Sequence, residues 1–152
     1  MSYDSRPDTH EHIGQVRRRL LAVVADLLHR ADVHDASKLV DPELPIFNEF
    51  TPKLRGSTYG TPEYEAMRAA MGVALKSHYA SNRHHPEHFR GGIHDMNMID
   101  LIEMLADWAA AVQRHDDGDL DRSITINAER FGYGAVLEGL LRTTARDMGW
   151  LP

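Results

Sequence analysis

The sequence of 152 residues contains no cysteine. This absence excludes disulfide bonds, thiolate metal ligands and a cysteine nucleophile. A transition-metal site in this chain must therefore use imidazole and carboxylate groups.

Long apolar runs and an excess of positive charge are also missing. The longest apolar run, Leu20 to Ala25, is far shorter than the ~20 residues that a membrane helix needs. Lys and Arg number 17 against 23 Asp and Glu, so the net charge is −6 and no broad basic surface for nucleic acid is expected. The polar N-terminal segment has no signal-peptide core. We therefore expect a cytoplasmic protein that binds neither membranes nor, broadly, nucleic acid.

Apolar residues recur with helical spacing along nearly the whole chain, and no strand pattern is present. Repeats, low-complexity tracts and long linkers are missing as well, which predicts one all-α domain over residues 1–152, a compact bundle of about six helices. The predicted helical segments are about 9–30, 33–40, 46–50, 61–85, 95–115, 123–131 and 134–148, and residues 51–60 are predicted to form a loop.

Histidine is abundant, with 10 residues, and two of them occupy informative positions. His12 begins an apolar stripe on the first helix, and His78 ends another on the helix that follows Pro62. One more helical turn would add His85 to the second stripe. Each histidine alone could be a core imidazole bonded to a backbone carbonyl, but two inward histidines in this chain favour a ligand role.

The most apolar predicted helix carries a line of three carboxylates. Asp100, Glu103 and Asp107 follow the spacing i, i+3, i+7, so they share one face. The line is either the solvated face of the helix or a buried set that pairs with a cation, because isolated buried carboxylates are costly. Ala110 and Ala111 leave room for a metal beside Asp107.

A third element is the pair His34-Asp35, an imidazole next to a carboxylate. Lys38 follows Asp35 by three residues and shares its helix face. The pair is a weak signal alone, and it gains weight from the histidines before and after it.

The ordered set His12 … His34-Asp-Ala-Ser-Lys38 … His78 … His84-His85-Pro-Glu … Ala106-Asp107 resembles the HD superfamily of metal-dependent phosphohydrolases. The resemblance implies a helical bundle of the HD-domain type in which one divalent metal is bound by His12, His34, Asp35 and Asp107. Asp35 would bridge to a second metal, whose further ligands would be His78 and either His84 or His85. We favour His85 because it lies two helical turns beyond His78.

Two segments of the sequence also resemble a bacterial and phage protein family of unknown function. They are Asn82-Arg-His-His-Pro-Glu-His-Phe and Leu101-Ile-Glu-Met-Leu-Ala-Asp-Trp. This second resemblance implies no activity.

The HD resemblance predicts hydrolysis of a small phosphate ester, with a nucleotide as the expected substrate. One or two ions of Mn, Fe, Co, Ni or Zn would activate a water, with Asp35 at the reaction centre. Lys38 would neutralise phosphoryl charge, and Arg83 and Arg90 are the predicted substrate-binding cations.

Two other functions fit the same residues. The ligand set could hold two irons and activate O₂, as in some members of the superfamily. Alternatively, the metal could only stabilise a binding or assembly protein, and the sequence leaves self-association open. A zinc protease fits less well, because His-Glu-x-x-His does not occur.

Overall fold

The structure, a computed structural model, describes residues 3–55, 57–114 and 118–152. Their regular structure is entirely helical, which confirms the predicted all-α class. The helices are α1 (Arg6–Val33), α2 (Glu43–Arg55), α3 (Pro62–Ala70), α4 (Gly72–Ser81), α5 (Met98–Val112), α6 (Leu120–Phe131) and α7 (Ala135–Asp147). Three short 3₁₀ turns lie at Ala36–Leu39, Pro86–His88 and Gly92–Asp95. No helix among the described residues combines the length and apolar character needed to span a membrane.

The chain divides into two compact units, Met1–His34 and Asp35–Pro152. The first consists mainly of α1, whose 28 residues make it roughly 42 Å long at about 1.5 Å per residue. Proline stands in its first turn, where the missing N–H costs no helical hydrogen bond. None of its residues is buried, and most of its large apolar side chains, including Ile13, Leu20 and Leu28, are exposed.

The second unit has its apolar core between α5, α6 and α7. Met104, Leu105 and Ile124 are completely or almost completely buried there. Full burial of an aliphatic side chain of this size contributes about 1.5–3 kcal/mol. The Tyr133 hydroxyl donates to the Ile124 carbonyl at 2.7 Å, so this buried phenol is satisfied. Packing against α6 and α7 thus fixes the position of α5, which carries Asp100, Glu103 and Asp107.

The rest of the second unit differs from the prediction in three main places. Only the 3₁₀ turn Ala36–Leu39 occupies the predicted helical segment 33–40 in this unit, because Asp35 before it has a left-handed φ of 57°. Residues 51–55 belong to α2 rather than to a loop, although Pro52 lies inside that helix. Packing of α2 against α4 and the Ala36–Leu39 turn outweighs the lost hydrogen bond. The predicted helix 61–85 is divided at Gly72, whose φ of 45° leaves the right-handed helical region, and α4 ends at Ser81.

Helix starts follow the sequence signals more closely. Thr61 caps α3 by accepting from the Tyr64 N–H, and proline follows it at the first helical position. Asn97 and Asp100 form a capping box that starts α5 at Met98, slightly later than predicted. The predicted end of this helix at His115 lies outside the described residues.

Candidate metal centre

Four side chains of the second unit converge on one point. Asp35, His78, His84 and His85 each offer a ligand atom, and these atoms lie within 4.8 Å of one another. Asp35 Oδ1 is 3.2 Å from His78 Nε2 and 3.5 Å from His84 Nε2. The Nε2 atoms of His78 and His85 are 2.9 Å apart. We call these four residues the histidine cluster.

Asp35 reaches the cluster from an unusual backbone conformation. It lies immediately before the Ala36–Leu39 turn with a φ of 57°, in the left-handed region that Asp tolerates better than most residues. The Lys38 ammonium contacts Asp35 Oδ2 at 2.5 Å. Burial acts to raise the pKa of the Asp35 carboxyl, but the hydrogen bond with His78 and the charge of Lys38 outweigh it and hold this pKa well below its usual range. Asp35 is therefore ionised at neutral pH.

His78 lies in the last turn of α4, and its other ring nitrogen faces a buried carboxylate. Nδ1 is 3.0 Å from Glu43 Oε2, and both residues are 1% exposed. The Ser37 hydroxyl also donates to Glu43, at 2.9 Å. The Asn82 amide donates to the Ser37 hydroxyl and to the His78 carbonyl, each at 2.8 Å, so both of its hydrogens are used there. This network surrounds His78 Nδ1 with polar groups and turns Nε2 towards the cluster.

His84 repeats this arrangement from the segment after α4. Its Nδ1 is 3.2 Å from Glu103 Oε1, and the ring is almost completely buried. Glu103 belongs to α5, so the two carboxylates behind the histidines come from different helices. A carboxylate that accepts from one ring nitrogen orients the ring and makes the other nitrogen a better metal ligand.

His85 completes the cluster from the neighbouring residue. Burial, followed by the adjacent imidazoles of His84 and His78, lowers the pKa of His85 to about 2. The ring is therefore neutral at neutral pH, the form that binds a metal. The sequence left the choice between His84 and His85 open, and the structure places both in the cluster.

Asp107 lies beside the cluster on α5, one turn beyond Glu103. It offers an oxygen within 4.8 Å of an Asp35 oxygen, and its charge acts to raise the pKa of His85. Three imidazole nitrogens with one or two carboxylates form a donor set that fits a metal ion. The buried cluster could therefore hold such an ion.

A cavity of about 230 Å³ adjoins the cluster within the second unit. His78, His85, Asp107 and Lys38 contribute to its wall, and the rest of the lining is largely aromatic and aliphatic. A small molecule in this cavity would meet the cluster and the Lys38 ammonium together.

The first unit contains the other two predicted ligands. His12 is exposed in the second turn of α1, and His34 directly follows the last residue of this helix. Because α1 is continuous, the two residues lie roughly 30 Å apart along it. One ion cannot bind both of them in the same chain. The HD resemblance is therefore wrong in assigning His12 and His34 to one metal ion.

The predicted substrate cations lie away from the cavity wall. Arg83 donates to Asp100 at 3.0 and 3.1 Å, and its guanidinium lies over the Phe89 ring. Asp100 is fully buried, so it is not on a solvated face of α5. Arg90 is exposed. The cationic residues of the lining are instead Lys38, Arg68, Arg122 and Arg130.

Sequence reasoning missed Glu43 as a partner of the cluster. It left open whether the line of carboxylates that contains Glu103 is solvated or paired with a cation. Glu103 carried a signal, because it lies one turn before Asp107 on the same face. Glu43 carried none that we identify, since its position relative to His78 depends on how α2 packs against α4.

Comparison with protein families gives one finding. A model described as "Family of unknown function (DUF5662)" matches residues 1–147. The searches of curated proteins and of solved structures return no match.

Proposed function

The chain belongs to this family of unknown function, and we propose from its geometry that it is a metal-dependent phosphohydrolase acting on a small phosphate ester such as a nucleotide. The observation that carries the proposal is the convergence of three imidazole Nε2 atoms and the Asp35 carboxylate beside a cavity that Lys38 also lines. The order of these residues along the chain agrees with the HD resemblance.

The donor set supports a divalent transition metal. Cysteine is missing from the chain, and neutral imidazole with carboxylate suits Mn, Fe, Co, Ni or Zn. His78, His84, His85 and Asp35 would hold the ion, with Asp107 close enough to contribute. When bound, such an ion would lower the pKa of a water and so supply hydroxide near neutral pH.

Lys38 is the group that we propose contacts the phosphate. Its ammonium contacts Asp35 at 2.5 Å and lies 5.0 Å from the centroid of the Phe47 ring, at the cavity wall. Hydrolysis adds water to phosphorus and breaks the bond to the organic oxygen, and negative charge grows on the phosphoryl oxygens. A cation held beside these oxygens before the reaction stabilises that charge.

The experiment that tests the function measures metal and turnover on the same preparation. We expect purified protein to bind about one or two transition-metal ions per chain by elemental analysis, and to release phosphate from p-nitrophenyl phosphate or from nucleoside monophosphates. Asp35→Asn should lose both properties, and His94→Ala, which changes an exposed histidine of the Gly92–Asp95 turn, should keep both.

Two results would contradict the proposal. Metal that is bound fully but supports no phosphate release from any ester would indicate a structural ion. Full metal content and full activity in Asp35→Asn would show that the histidine cluster is not the site.

A further inference from the structure

The cavity beside the histidine cluster contains polar groups that metal binding does not use. Asn127 of α6 is 1% exposed, yet it contributes to the cavity wall together with Tyr59 and Ser123. The Tyr59 hydroxyl donates to Asn127 Oδ1 at 3.0 Å, and the Asn127 amide donates to the Ser123 carbonyl at 3.0 Å. A carbonyl-type oxygen accepts two hydrogen bonds, so Asn127 Oδ1 keeps capacity for a ligand.

The walls around these groups are suited to a flat ring. Tyr59 and Tyr64 meet edge to face, with centroids 5.1 Å apart, and both line the cavity. Trp108 and Phe131 also line the cavity. Their ring planes are almost parallel, with an angle of 8° between them, and the ring centroids are 6.5 Å apart. Aromatic side chains offer ring faces and edges on which a planar ligand group can pack.

The size and charge of the cavity limit the ligand further. At about 230 Å³ it is smaller than the roughly 300–1,000 Å³ of ordinary pockets for drug-sized ligands. Its described lining includes the carboxylates of Glu87, Asp107 and Asp119 as well as four cationic side chains. Glu87 is already paired with Arg130 at 2.5 Å. Such a nearly balanced wall suits one phosphate group better than a polyphosphate chain, whose charge would face these carboxylates.

We infer that Asn127 and Tyr59 determine which organic group the site accepts, namely a planar uncharged ring with a hydrogen-bonding edge, on a substrate that carries a single phosphate. The inference rests on the proposed function for the placement of that phosphate at the histidine cluster. Asn127 and Tyr59 are specificity-determining residues and take no part in bond breaking. Their alternative role is to tie the segment before α3 to α6, which would affect stability alone.

Equilibrium binding separates these two roles. Calorimetry on the metal-loaded protein compares the four common nucleoside 5′-monophosphates, glycerol 3-phosphate, a nucleoside triphosphate and inorganic phosphate. We expect at least one nucleoside monophosphate to bind about tenfold or more tightly than glycerol 3-phosphate and than the triphosphate. Tyr59→Phe and Asn127→Ala should each reduce this preference by about tenfold and leave the affinity for inorganic phosphate unchanged.

Tyr133→Phe is the matched control, because its hydroxyl bonds the Ile124 carbonyl in the core and the residue does not line the cavity. It should lower the melting temperature without changing the preference. Tyr59→Phe keeps the ring, so it serves as the test if Asn127→Ala does not fold.

The inference is overturned if the wild-type protein binds glycerol 3-phosphate as tightly as every nucleoside monophosphate, or if both cavity variants keep the full preference. Release of phosphate from p-nitrophenyl phosphate is measured separately. Hydrolysis without a ring preference would overturn the inference and support the proposed function. A ring preference without hydrolysis of any ester would support the inferred ligand class and contradict the proposed function.

Discussion

Histidines occur in two regions of this chain with opposite surroundings. His10, His12 and His29 lie on α1 with exposed side chains. His78 and His84 are almost completely buried in the second unit, and each has a glutamate behind its Nδ1. Abundance of histidine therefore says little about ligand function. The distinguishing feature is a carboxylate that fixes one ring nitrogen and directs the other towards a shared point.

The largest expected effect comes from removing a histidine of the cluster, and removal of an exposed histidine of α1 is the matched control. His84→Ala should lose most of its bound metal, because one ligand is deleted. His12→Ala should retain its metal, since His12 is exposed near the start of α1. Elemental analysis after gel filtration measures both. Equal metal loss in the two variants would contradict the comparison between the two regions.

Lys38→Ala tests the contribution of charge at fixed metal content. We expect metal to be retained and phosphate release to fall by roughly 10²–10³-fold, the effect of removing one electrostatic donor at a transition state. Lys76→Ala, an exposed lysine on α4, is the matched control and should change neither property. A Lys38→Ala variant with wild-type turnover would remove this residue from the mechanism and leave the other cations of the cavity lining as candidates.

Glu43→Gln and Glu103→Gln test the carboxylates behind the rings. Each change keeps the shape of the side chain but weakens its hold on the imidazole N–H, so metal affinity should fall by about 10–100-fold. Titration with a competing chelator measures the affinity. Glu49→Gln, which alters an exposed partner of Lys53, should leave it unchanged. Unaltered affinity in both cluster variants would mean that these carboxylates do not orient the ligands.

The smallest effect on the site is expected from Asp100→Ala. This residue shares α5 with Glu103 and Asp107 but bonds Arg83 and caps its own helix. Its loss should lower the free energy of unfolding by about 1–3 kcal/mol through the missing cap and charged hydrogen bonds. The folded protein should keep its metal content. Chemical denaturation and elemental analysis check the two statements, and loss of metal from folded protein would contradict them.

Local sequence signals located most of the fold. The 3.6-residue period, the Thr61 cap and the capping residues of α5 gave the positions of the main helices. The continuation of α2 through Pro52 was not predictable, because helix packing decided against the local preference of proline. The division of the predicted helix at Gly72 was not predictable either, because an isolated glycine is tolerated inside many helices.

The candidate site was only partly accessible from sequence. Periodicity and the HD resemblance pointed to Asp35, His78, His85 and Asp107, which the structure brings close together. The resemblance alone paired His12 with His34, and it did so against the predicted helix 9–30, which already holds the two residues far apart. Glu43 escaped notice because its contact with His78 joins residues that are distant in sequence.

The left-handed backbone at Asp35 has a consequence for protein engineering. Most residues lose about 1–2 kcal/mol in this conformation, whereas glycine and, more weakly, asparagine and aspartate accept it. Asp35→Glu, which preserves charge, would therefore disturb the chain path at this junction more than Asp35→Asn, which removes the charge. In a library of all substitutions at position 35, the asparagine and glycine variants should give more folded protein than the glutamate variant. Neither of them supplies the carboxylate. Position 35 is thus constrained twice, by the main chain and by the side chain, and aspartate is the one residue that meets both requirements.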